Sequence, residues 1–275
     1  MFSKQLAPLI KAFSGQAAIA YHSFTDGSSY THNATITMRS ASLIKLPLLA
    51  HALTEVARGN LSLAQPVTLS DKDRVGGAGV LHTLSGELSL PLRDVLTLMI
   101  IVSDNTATNL TIDLLGQDSV NRFIADLGLS QTRLAGKLQL PVVLRNAAQQ
   151  RGESNSSCAA DILGLLLRLE SRDLLPDELT DVALDILHKQ QFTEALARYL
   201  PTDAELHSPS VRVASKSGCL RGLWHDAGIV YSAADEPLYT LVIMTENARD
   251  TSYSWEQEGM LFIAEVSRRI FELQT

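Results

Sequence analysis

The sequence predicts an α/β (α+β) fold in which one antiparallel sheet is assembled from both ends of the chain. Three observations carry this prediction. A helix and two strand patterns occupy residues 1–37. Three strand patterns rich in β-branched residues follow Pro209, before a last helix. The middle third of the chain is nearly all helical in its periodicity. We therefore expect a sheet flanked by N- and C-terminal helices, plus an inserted all-helical subdomain.

The order of these elements also predicts the domain organisation. A discontinuous sheet subdomain would comprise residues 1–40 and 205–275, and a helical subdomain would comprise residues 41–204. We expect the two to form one structural domain with the active site at their junction. No internal repeat or low-complexity linker indicates a further boundary. With 275 residues, of which 45% are hydrophobic, the chain can bury a substantial core.

The N-terminal segment predicts a helix and a hairpin. Residues 1–15 alternate polar and apolar side chains without the continuous apolar run that drives secretion, so an amphipathic helix is favoured over a leader. Residues 16–24 are strand-like, and a turn at Asp26-Gly27 leads into a second strand over 29–37. Since no export signal is visible, we expect a cytoplasmic protein, or a periplasmic one if a leader has been removed.

A buried helix is predicted over residues 42–56, with Gly59 in the C-cap position. Pro47 conflicts with a regular helix that begins at Ser42, because a proline five residues inside a helix removes a backbone hydrogen bond. Either the first turn is irregular or the regular helix begins later. Residues 61–90 are punctuated by glycine and aspartate and are expected to form loops.

Periodicity and Gly/Pro punctuation predict the remaining elements. Helices are expected at residues 92–102, 106–115, 118–127, 158–169 and 177–189, with two shorter ones at 141–151 and 192–200. Strands are expected at residues 211–217, 226–231 and 238–245, and a helix at 255–273 closes the chain.

Composition argues against several kinds of partner. The net charge is −7 and no cluster of lysine or arginine occurs, so nucleic acid is not expected. No run reaches the ~18 apolar residues that span a bilayer, so no membrane contact is expected. Two cysteines, Cys158 and Cys219, are too few for a disulfide framework, although the sequence is compatible with one disulfide bridge between them. Metal-ligand spacings are missing, and no cofactor is expected.

The functional interpretation begins with Ser42 and Lys45. A serine hydroxyl needs a neighbouring base before it attacks a carbonyl, and three-residue spacing on a helix would put both side chains on one face. The unpaired N–H groups of a helix N-terminus also suit the oxyanion of acyl transfer. Taken alone, the pair is better explained as an N-capping serine and a surface lysine.

Two further motifs, Ser103-Asp-Asn105 and Lys216-Ser-Gly218, favour the catalytic interpretation of Ser42 and Lys45 over the structural one. Together with Ser42-x-x-Lys45 they match the S-x-x-K, S-D-N and K-T-G set of active-site serine penicillin-recognising enzymes, with Ser217 in place of the threonine. The chain resembles the class A β-lactamase-like serine hydrolase family. The similarity extends through residues 79–94, 99–110 and 225–230 and covers most of the chain.

The resemblance implies roles for the matching positions. Ser42 would be the acyl-accepting nucleophile, and Lys45 would be the neighbouring base. Ser103 and Lys216 would relay protons and hold a substrate carboxylate, and Asn105 would bind the substrate amide. The backbone N–H groups of Ser42 and Cys219 would form the oxyanion hole. The substrate-binding set implied in this way is Asn105, Ser217, Gly218 and Cys219.

Two departures from the family bear on function. Class A β-lactamases carry a loop glutamate that activates the deacylating water. This chain reads Leu-Gln-Leu at residues 138–140, and the nearby Glu153 is better explained as a solvated helix-flanking residue. Many members also have an arginine on the strand after the third motif, where this chain has Trp-His-Asp at residues 224–226. Arg221 is the only nearby substitute, and His225 is equally well explained as structural.

We therefore expect a serine hydrolase that forms an acyl-enzyme on Ser42 with a small-molecule substrate, a β-lactam or a related amide or ester. Resistance to β-lactam antibiotics would be the associated function. The first alternative is a D-alanyl-D-alanine peptidase or esterase with slow deacylation. The second is a non-catalytic ligand-binding relative, which the intact Ser42, Lys45, Ser103 and Lys216 argue against.

Overall fold

The computed structural model describes residues 1–202 and 211–274. Its helices are α1 (Phe2–Ala12), α2 (Lys45–Ala57), α3 (Leu92–Ile101), α4 (Asn105–Leu115), α5 (Gln117–Asp126), α6 (Ala147–Gln150), α7 (Ala159–Glu170), α8 (Asp177–His188) and α9 (Glu258–Gln274). Its strands are β1 (Gln16–Ser23), β2 (Ser29–His32), β3 (Met38–Arg39), β4 (Pro66–Leu69), β5 (Leu88–Pro91), β6 (Ser156–Ser157), β7 (Val211–Leu220), β8 (Leu223–Ser232) and β9 (Pro237–Glu246).

Five strands form one antiparallel sheet in the order β2-β1-β9-β8-β7. The first long strand pairs with the last, with Gln16 opposite Glu246 and Ser23 opposite Tyr239. Strand β7 lies at the edge of the sheet and pairs only with β8. The fold prediction is therefore confirmed, because both ends of the chain build a single antiparallel sheet.

The two faces of the sheet pack against different layers, as the alternation of side chains along a strand requires. On β1, Ile19 and Tyr21 face a cluster that contains Leu6 of α1 and Ile263 of α9. Ala18 on the same strand faces the larger cluster formed with the central helices. The N- and C-terminal helices thus cover one face, and the helical segment between residues 41 and 202 covers the other.

The start of α2 resolves the conflict over Pro47. A 3₁₀ turn covers Ala41–Ile44, and the α-helix begins at Lys45, so both predicted alternatives hold: the first turn is irregular and the regular helix begins later. Pro47 then falls in the first turn of α2, where backbone N–H groups have no intrahelical partner to lose.

Several predicted elements differ from the structure. The loop expected over residues 61–90 contains β4 and begins β5, which pair antiparallel, with Val67 opposite Leu90. The second strand ends at His32 because Asn33 turns the chain with φ of 50°. The helix expected over 141–151 is reduced to a 3₁₀ turn and the short α6, because Pro141 and Asn146 start separate turns.

The helix expected over 192–200 is also wrong. There the Leu196 N–H donates to the side chain of Asp226 on β8 rather than to a helical carbonyl. The second boundary of the predicted domain division, between residues 204 and 205, lies outside the described residues, and the division stays a prediction. No helix in the described part of the chain combines the length and hydrophobicity that a membrane crossing needs.

Candidate active site

Ser42 lies in the 3₁₀ turn that leads into α2, directly after a residue with an unusual backbone conformation. The preceding Ala41 has φ of 43°, in the left-handed region that costs a non-glycine residue about 1–3 kcal/mol. Edge strand β7 packs against this turn: a Cβ atom added to Gly218 would lie 2.8 Å from the backbone nitrogen of Ser42. Glycine is therefore required here for β7 to approach the Ser42 N–H.

Ser103 lies in the short connection between α3 and α4 and also has a positive φ, 53°. The next residue fixes this connection. Asp104 caps α4 by accepting a hydrogen bond from the Ala107 N–H, and its second carboxylate oxygen accepts from the N–H groups of Val80 and Leu81 at 2.7 and 2.8 Å. The buried Asp104 carboxylate therefore ties the segment at Val80 and Leu81 to the start of α4. These contacts fix the orientation of the neighbouring Ser103.

A chain of hydrogen bonds joins the lysine and the two serines. Ser103 Oγ lies 2.8 Å from Ser42 Oγ, and Lys45 Nζ lies 3.1 Å from Ser103 Oγ. Lys45 also donates to the carbonyl oxygen of Ser103 at 2.6 Å and to Asn105 Oδ1 at 3.1 Å. Among the described residues, Lys45 makes no hydrogen bond to Ser42 itself, so its connection to Ser42 runs through Ser103.

The environment of Lys45 disfavours its charged form. Its side chain is completely buried, and its hydrogen-bond partners are neutral oxygen atoms. Burial, followed by the repulsion of Lys216, holds the pKa of Lys45 well below its ordinary value, against a smaller opposing effect of Asp104. A neutral amine in this position is able to accept a proton.

Strand β7 brings the third motif to the same place. Ser217, Gly218 and Cys219 line a cavity of about 690 Å³ together with Ser42, Ser103 and Asn105. Lys216 lies behind them, fully buried, and donates to the carbonyl oxygen of Ser217 at 2.6 Å. In the described part of the chain it makes no hydrogen bond to Ser103. Burial lowers the pKa of Lys216 to about 8, although Asp226 and Cys219 oppose the shift.

We expect Gly218→Ala to slow acylation about 100-fold, because the added methyl group must displace either β7 or the Ser42 backbone and so misplace an oxyanion donor. Stopped-flow acylation with a chromogenic β-lactam or ester measures this rate. Gly76→Ala is the matched control, since a Cβ there meets nothing within 4 Å and Gly76 has no positive φ. An unchanged rate in Gly218→Ala would show that this close approach does not matter.

The model of the beta-lactamase enzyme family matches residues 1–274, which is nearly the whole chain. The chain belongs to this family. A comparison with curated protein sequences gives no match. The family and the fold identify the protein as a β-lactamase-like hydrolase, which confirms the resemblance inferred from the motifs.

Three solved structures are similar over the full chain. A β-lactamase from Sphaerobacter thermophilus DSM 20745 is 28% identical, with 99% of this chain and 96% of that chain covered and a TM-score of 0.86. An ancestral class A β-lactamase, GNCA, is 23% identical, with coverage of 99% and 100% and a TM-score of 0.84. A leucine-to-glutamate variant of PBP-A, an acyl-enzyme complex with penicillin G, is 22% identical, with coverage of 99% and 95% and a TM-score of 0.83.

The stretch at residues 138–140, where the sequence analysis expected the family's loop glutamate, presents an apolar side chain to the cavity. Asn109 of α4 clamps the backbone of Leu138: its side chain donates to the Leu138 carbonyl at 2.9 Å and accepts from the Leu138 N–H at 2.8 Å. Leu138 lines the same cavity as Ser42. Asn109 lies within the stretch that resembles the family, but no local sequence pattern indicates its contact with residue 138.

Glu153 is on the cavity wall, but its carboxylate is already bound by two arginines. Arg133 donates to it at 2.6 Å and Arg151 at 2.7 Å. Hydrogen bonds from Arg151 and then Arg133 hold the pKa of Glu153 below its usual value. A base held in this way is poorly suited to activate water, which agrees with the prediction from spacing.

The two residues whose roles the sequence left undecided, one on β8 and one in the turn before it, lie in different environments. His225 is fully buried. Its Nε2 lies 2.8 Å from the Arg39 carbonyl, and its Nδ1 accepts from the Thr245 N–H at 3.1 Å. Burial lowers the pKa of His225 to about 4, so the ring is neutral at pH 7 and ties β8 to the strand before Ser42. Arg221 is exposed and lies outside the cavity lining.

Both cysteines are free thiols in the structure, Cys158 buried and Cys219 exposed. The disulfide bridge that the sequence left open is therefore not formed. No group of three or more His, Cys, Asp or Glu side chains positioned to hold a metal ion occurs within residues 1–202 and 211–274.

Proposed function

We propose that this member of the β-lactamase enzyme family is a serine hydrolase that forms an acyl-enzyme on Ser42 with a β-lactam or a related amide or ester. The observation that carries the proposal is the hydrogen-bond chain from Lys45 through Ser103 to Ser42, with distances of 3.1 and 2.8 Å. A buried amine whose pKa is held well below its ordinary value lies at one end of this chain and a hydroxyl lies at the other, which is the arrangement of an activated nucleophile.

The proposed proton path uses these contacts with the two hydroxyl protons turned toward Lys45, since in the structure Lys45 donates to Ser103 Oγ and Ser103 Oγ donates to Ser42 Oγ. The Ser42 hydroxyl gives its proton to Ser103 Oγ as Ser42 Oγ bonds to the substrate carbonyl carbon, and Ser103 gives its own proton to the neutral Lys45 amine. The carbonyl oxygen becomes an oxyanion that accepts hydrogen bonds from the N–H groups of Ser42 and Cys219. On collapse of the tetrahedral intermediate, the leaving nitrogen or oxygen takes back a proton through Ser103.

Two comparisons support this proposal. The family includes β-lactamases, and one structural neighbour, PBP-A, is described as an acyl-enzyme with penicillin G. The buried, hydrogen-bonded Lys45 argues against a non-catalytic relative, because burying an amine costs several kcal/mol that a binding module has no evident reason to bear.

A second candidate, a D-alanyl-D-alanine peptidase or esterase with slow deacylation, is favoured by one specific observation. Leu138, and not a carboxylate, is clamped by Asn109 in the lining of the cavity that contains Ser42. Water in the cavity therefore lacks an evident base for breaking the acyl-enzyme, so we expect the acyl-serine to persist.

Intact-protein mass spectrometry after incubation with penicillin G tests the proposal. We expect a stable increase equal to the mass of one penicillin, located on Ser42 by peptide mapping and lost in Ser42→Ala. Exposed Ser62→Ala is the control and should be acylated like the original protein. Labelling that persists in Ser42→Ala would refute the assignment of the nucleophile. Rapid return to the unmodified mass would instead favour efficient β-lactam turnover over slow deacylation.

The low pKa of Lys216 leads to an expected pH dependence. With a pKa of about 8, Lys216 is a cation below pH 8 and loses its charge above it. If its cation stabilises negative charge at the oxyanion, kcat/KM for acylation falls as the pH rises through about 8. In Lys216→Arg the charge persists and the alkaline limb should move upward by at least one pH unit. Stopped-flow acylation rates measured from pH 6 to 10 test this expectation. If the alkaline limb of the pH profile does not move in Lys216→Arg, the limb reports the titration of another group.

A further inference from the structure

One cation in the cavity lining has no carboxylate partner. In the described part of the chain, the cationic side chains that line the cavity are Arg39, Lys137 and Arg145. The first is paired with Glu246, and Lys137 donates to Asp113 at 2.6 Å. Arg145 makes no ion pair with a described carboxylate. Its guanidinium is therefore available to a bound anion.

The position of Arg145 is fixed by hydrogen bonds on its own loop. Its Nε donates to the Leu140 carbonyl at 3.1 Å, and the Gln150 side chain donates to the Arg145 carbonyl at 2.8 Å. The next residue, Asn146, donates to the Ala135 carbonyl at 2.7 Å. Among the described residues, the two Nη atoms of Arg145 have no hydrogen-bond partner. They form the end of the planar fork, which binds a carboxylate with two parallel hydrogen bonds.

The carboxylates in the cavity lining do not cancel this charge. Glu153, on the same loop, is bound by Arg133 at 2.6 Å and by Arg151 at 2.7 Å, so this group of three also carries an excess of positive charge. Glu194 belongs to a different segment, which is tied to β8 through the Leu196 N–H. The loop side of the cavity therefore attracts anions.

The loop side is also where the acyl side of a substrate is expected. The family resemblance assigns the substrate amide to Asn105 and the substrate carboxylate to the third motif on β7. A Cβ atom on Gly77 would lie 2.6 Å from Asn105 Nδ2 and 3.4 Å from Gln139 Cγ, so these two side chains converge on Gly77. Arg145 binds the carbonyl of Leu140, the residue that follows Gln139. An amide held at Asn105 therefore directs its acyl side chain along Gln139 toward Arg145.

We propose that Arg145 binds a carboxylate on the acyl side of the substrate. The preferred substrates are then amides with two anionic groups: one is the carboxylate assigned to the third motif, and the other lies on the acyl side chain. This inference rests on the proposed function of Ser42 and deepens it by naming the substrate class.

Three acylated forms of 6-aminopenicillanic acid test the proposal: pentanoyl, glutaryl and 4-aminobutanoyl. They share one β-lactam ring, one ring carboxylate and an arm of three methylenes, and they differ only in the end group, which is methyl, carboxylate or ammonium. In each, Ser42 Oγ bonds to the ring carbonyl carbon, the ring C–N bond breaks and the nitrogen takes up the proton. At low ionic strength we expect acylation by the glutaryl form to be about fivefold faster than by the pentanoyl form, with the ammonium form slowest.

Salt and arm length sharpen this test. High salt should reduce the advantage of the glutaryl form, because the pair with Arg145 is exposed to solvent. The corresponding sets with one and two methylenes cover shorter distances to Arg145. Equal rates for the methyl and carboxylate forms at every arm length would overturn the inference and leave acylation of Ser42 intact.

Variants then assign the preference to Arg145. In Arg145→Gln the ratio of the glutaryl to the pentanoyl rate should fall to about one, and in Arg145→Glu the ammonium form should become faster than the glutaryl form. A role in loop structure alone would not produce this inversion. Arg249→Gln is the matched control, since Arg249 is exposed, lies outside the cavity lining and makes no ion pair with a described residue. A ratio that survives in Arg145→Gln, or that falls equally in both glutamine variants, would refute the assignment.

Binding without catalysis separates failure of this inference from failure of the proposed function. The chain contains two tryptophans, Trp224 and Trp255, and both line the cavity. Tryptophan fluorescence of the Ser42→Ala protein therefore reports occupancy of the cavity. We expect the Kd of the glutaryl form to be about fivefold below that of the pentanoyl form, and the two to be equal when Arg145→Gln is added. If no penicillin acylates Ser42 and this difference remains, the proposed function fails and the inference stands. Equal Kd values in Ser42→Ala would overturn the inference.

Discussion

Lys45→Met should reduce the rate of acylation about 1,000- to 10,000-fold, the size of effect that loss of a positioned general base produces. The amine is the only group in the described hydrogen-bond chain that is able to take the proton from the two serines, since Ser103 both receives and donates one. Methionine has a similar length and is apolar, so the substitution removes the base without opening a large cavity. Single-turnover acylation with a chromogenic substrate measures the effect.

Folding must be separated from chemistry in this variant, because Met at residue 45 leaves the Ser103 carbonyl and Asn105 Oδ1 without their donor. Thermal unfolding and circular dichroism establish whether the variant is folded, and rates are compared only for folded protein. Exposed Lys72→Met is the matched control and should react like the original protein. A folded Lys45→Met protein that acylates at more than one tenth of the original rate would exclude Lys45 as the base.

Leu138→Glu should accelerate deacylation about 100- to 10,000-fold and so convert slow release of penicillin G into turnover. The Asn109 clamp holds the backbone of residue 138 from both its N–H and its carbonyl, and the side chain at this position lines the cavity with Ser42. A carboxylate introduced here would stand on a fixed backbone beside the acyl-serine, where it can take a proton from an attacking water.

Leu138→Gln is the matched control for this gain of function. Glutamine has the same size as glutamate and disturbs the partly buried contacts of Leu138 equally, but it is not a base. The decay of the acyl-enzyme mass after removal of free penicillin gives the deacylation rate of each variant. Similar rates for the glutamate and glutamine variants would show that the position does not lie within reach of the deacylating water.

The fold was predictable because its signals are local. Most helices and strands can be predicted from the alternation of apolar residues in strands, their periodicity in helices, and the glycines and prolines between elements. The three motifs lie in turns or at a strand edge, where their side chains are presented to the site. The short β4–β5 ladder was missed because four-residue strands separated by a long connection leave little periodicity. The helix expected over 192–200 failed for a different reason: Asp226, far along the chain, captures the Leu196 N–H.

The site was predictable in part. Ser42, Lys45, Ser103 and Asn105 were named from motifs, and the structure brings them into one hydrogen-bonded group. What the sequence could not give were the contacts that depend on tertiary packing. The direct link expected between Lys45 and Ser42 is replaced by a path through Ser103. The clamp on Leu138 joins segments whose proximity follows only from the folded structure.

The pairing of β1 with β9 has a consequence for the synthesis of the protein. Ser42 and Lys45 emerge from the ribosome early, but β7, whose Gly218 packs against the backbone nitrogen of Ser42, must wait for β8 and β9 to join the sheet to β1. Such contacts between distant parts of a chain form late and slowly. If the proposed function holds, the nascent chain carries an unactivated Ser42 for most of its synthesis, and we expect reactivity toward carbonyl compounds to begin only when the C-terminal strands are complete.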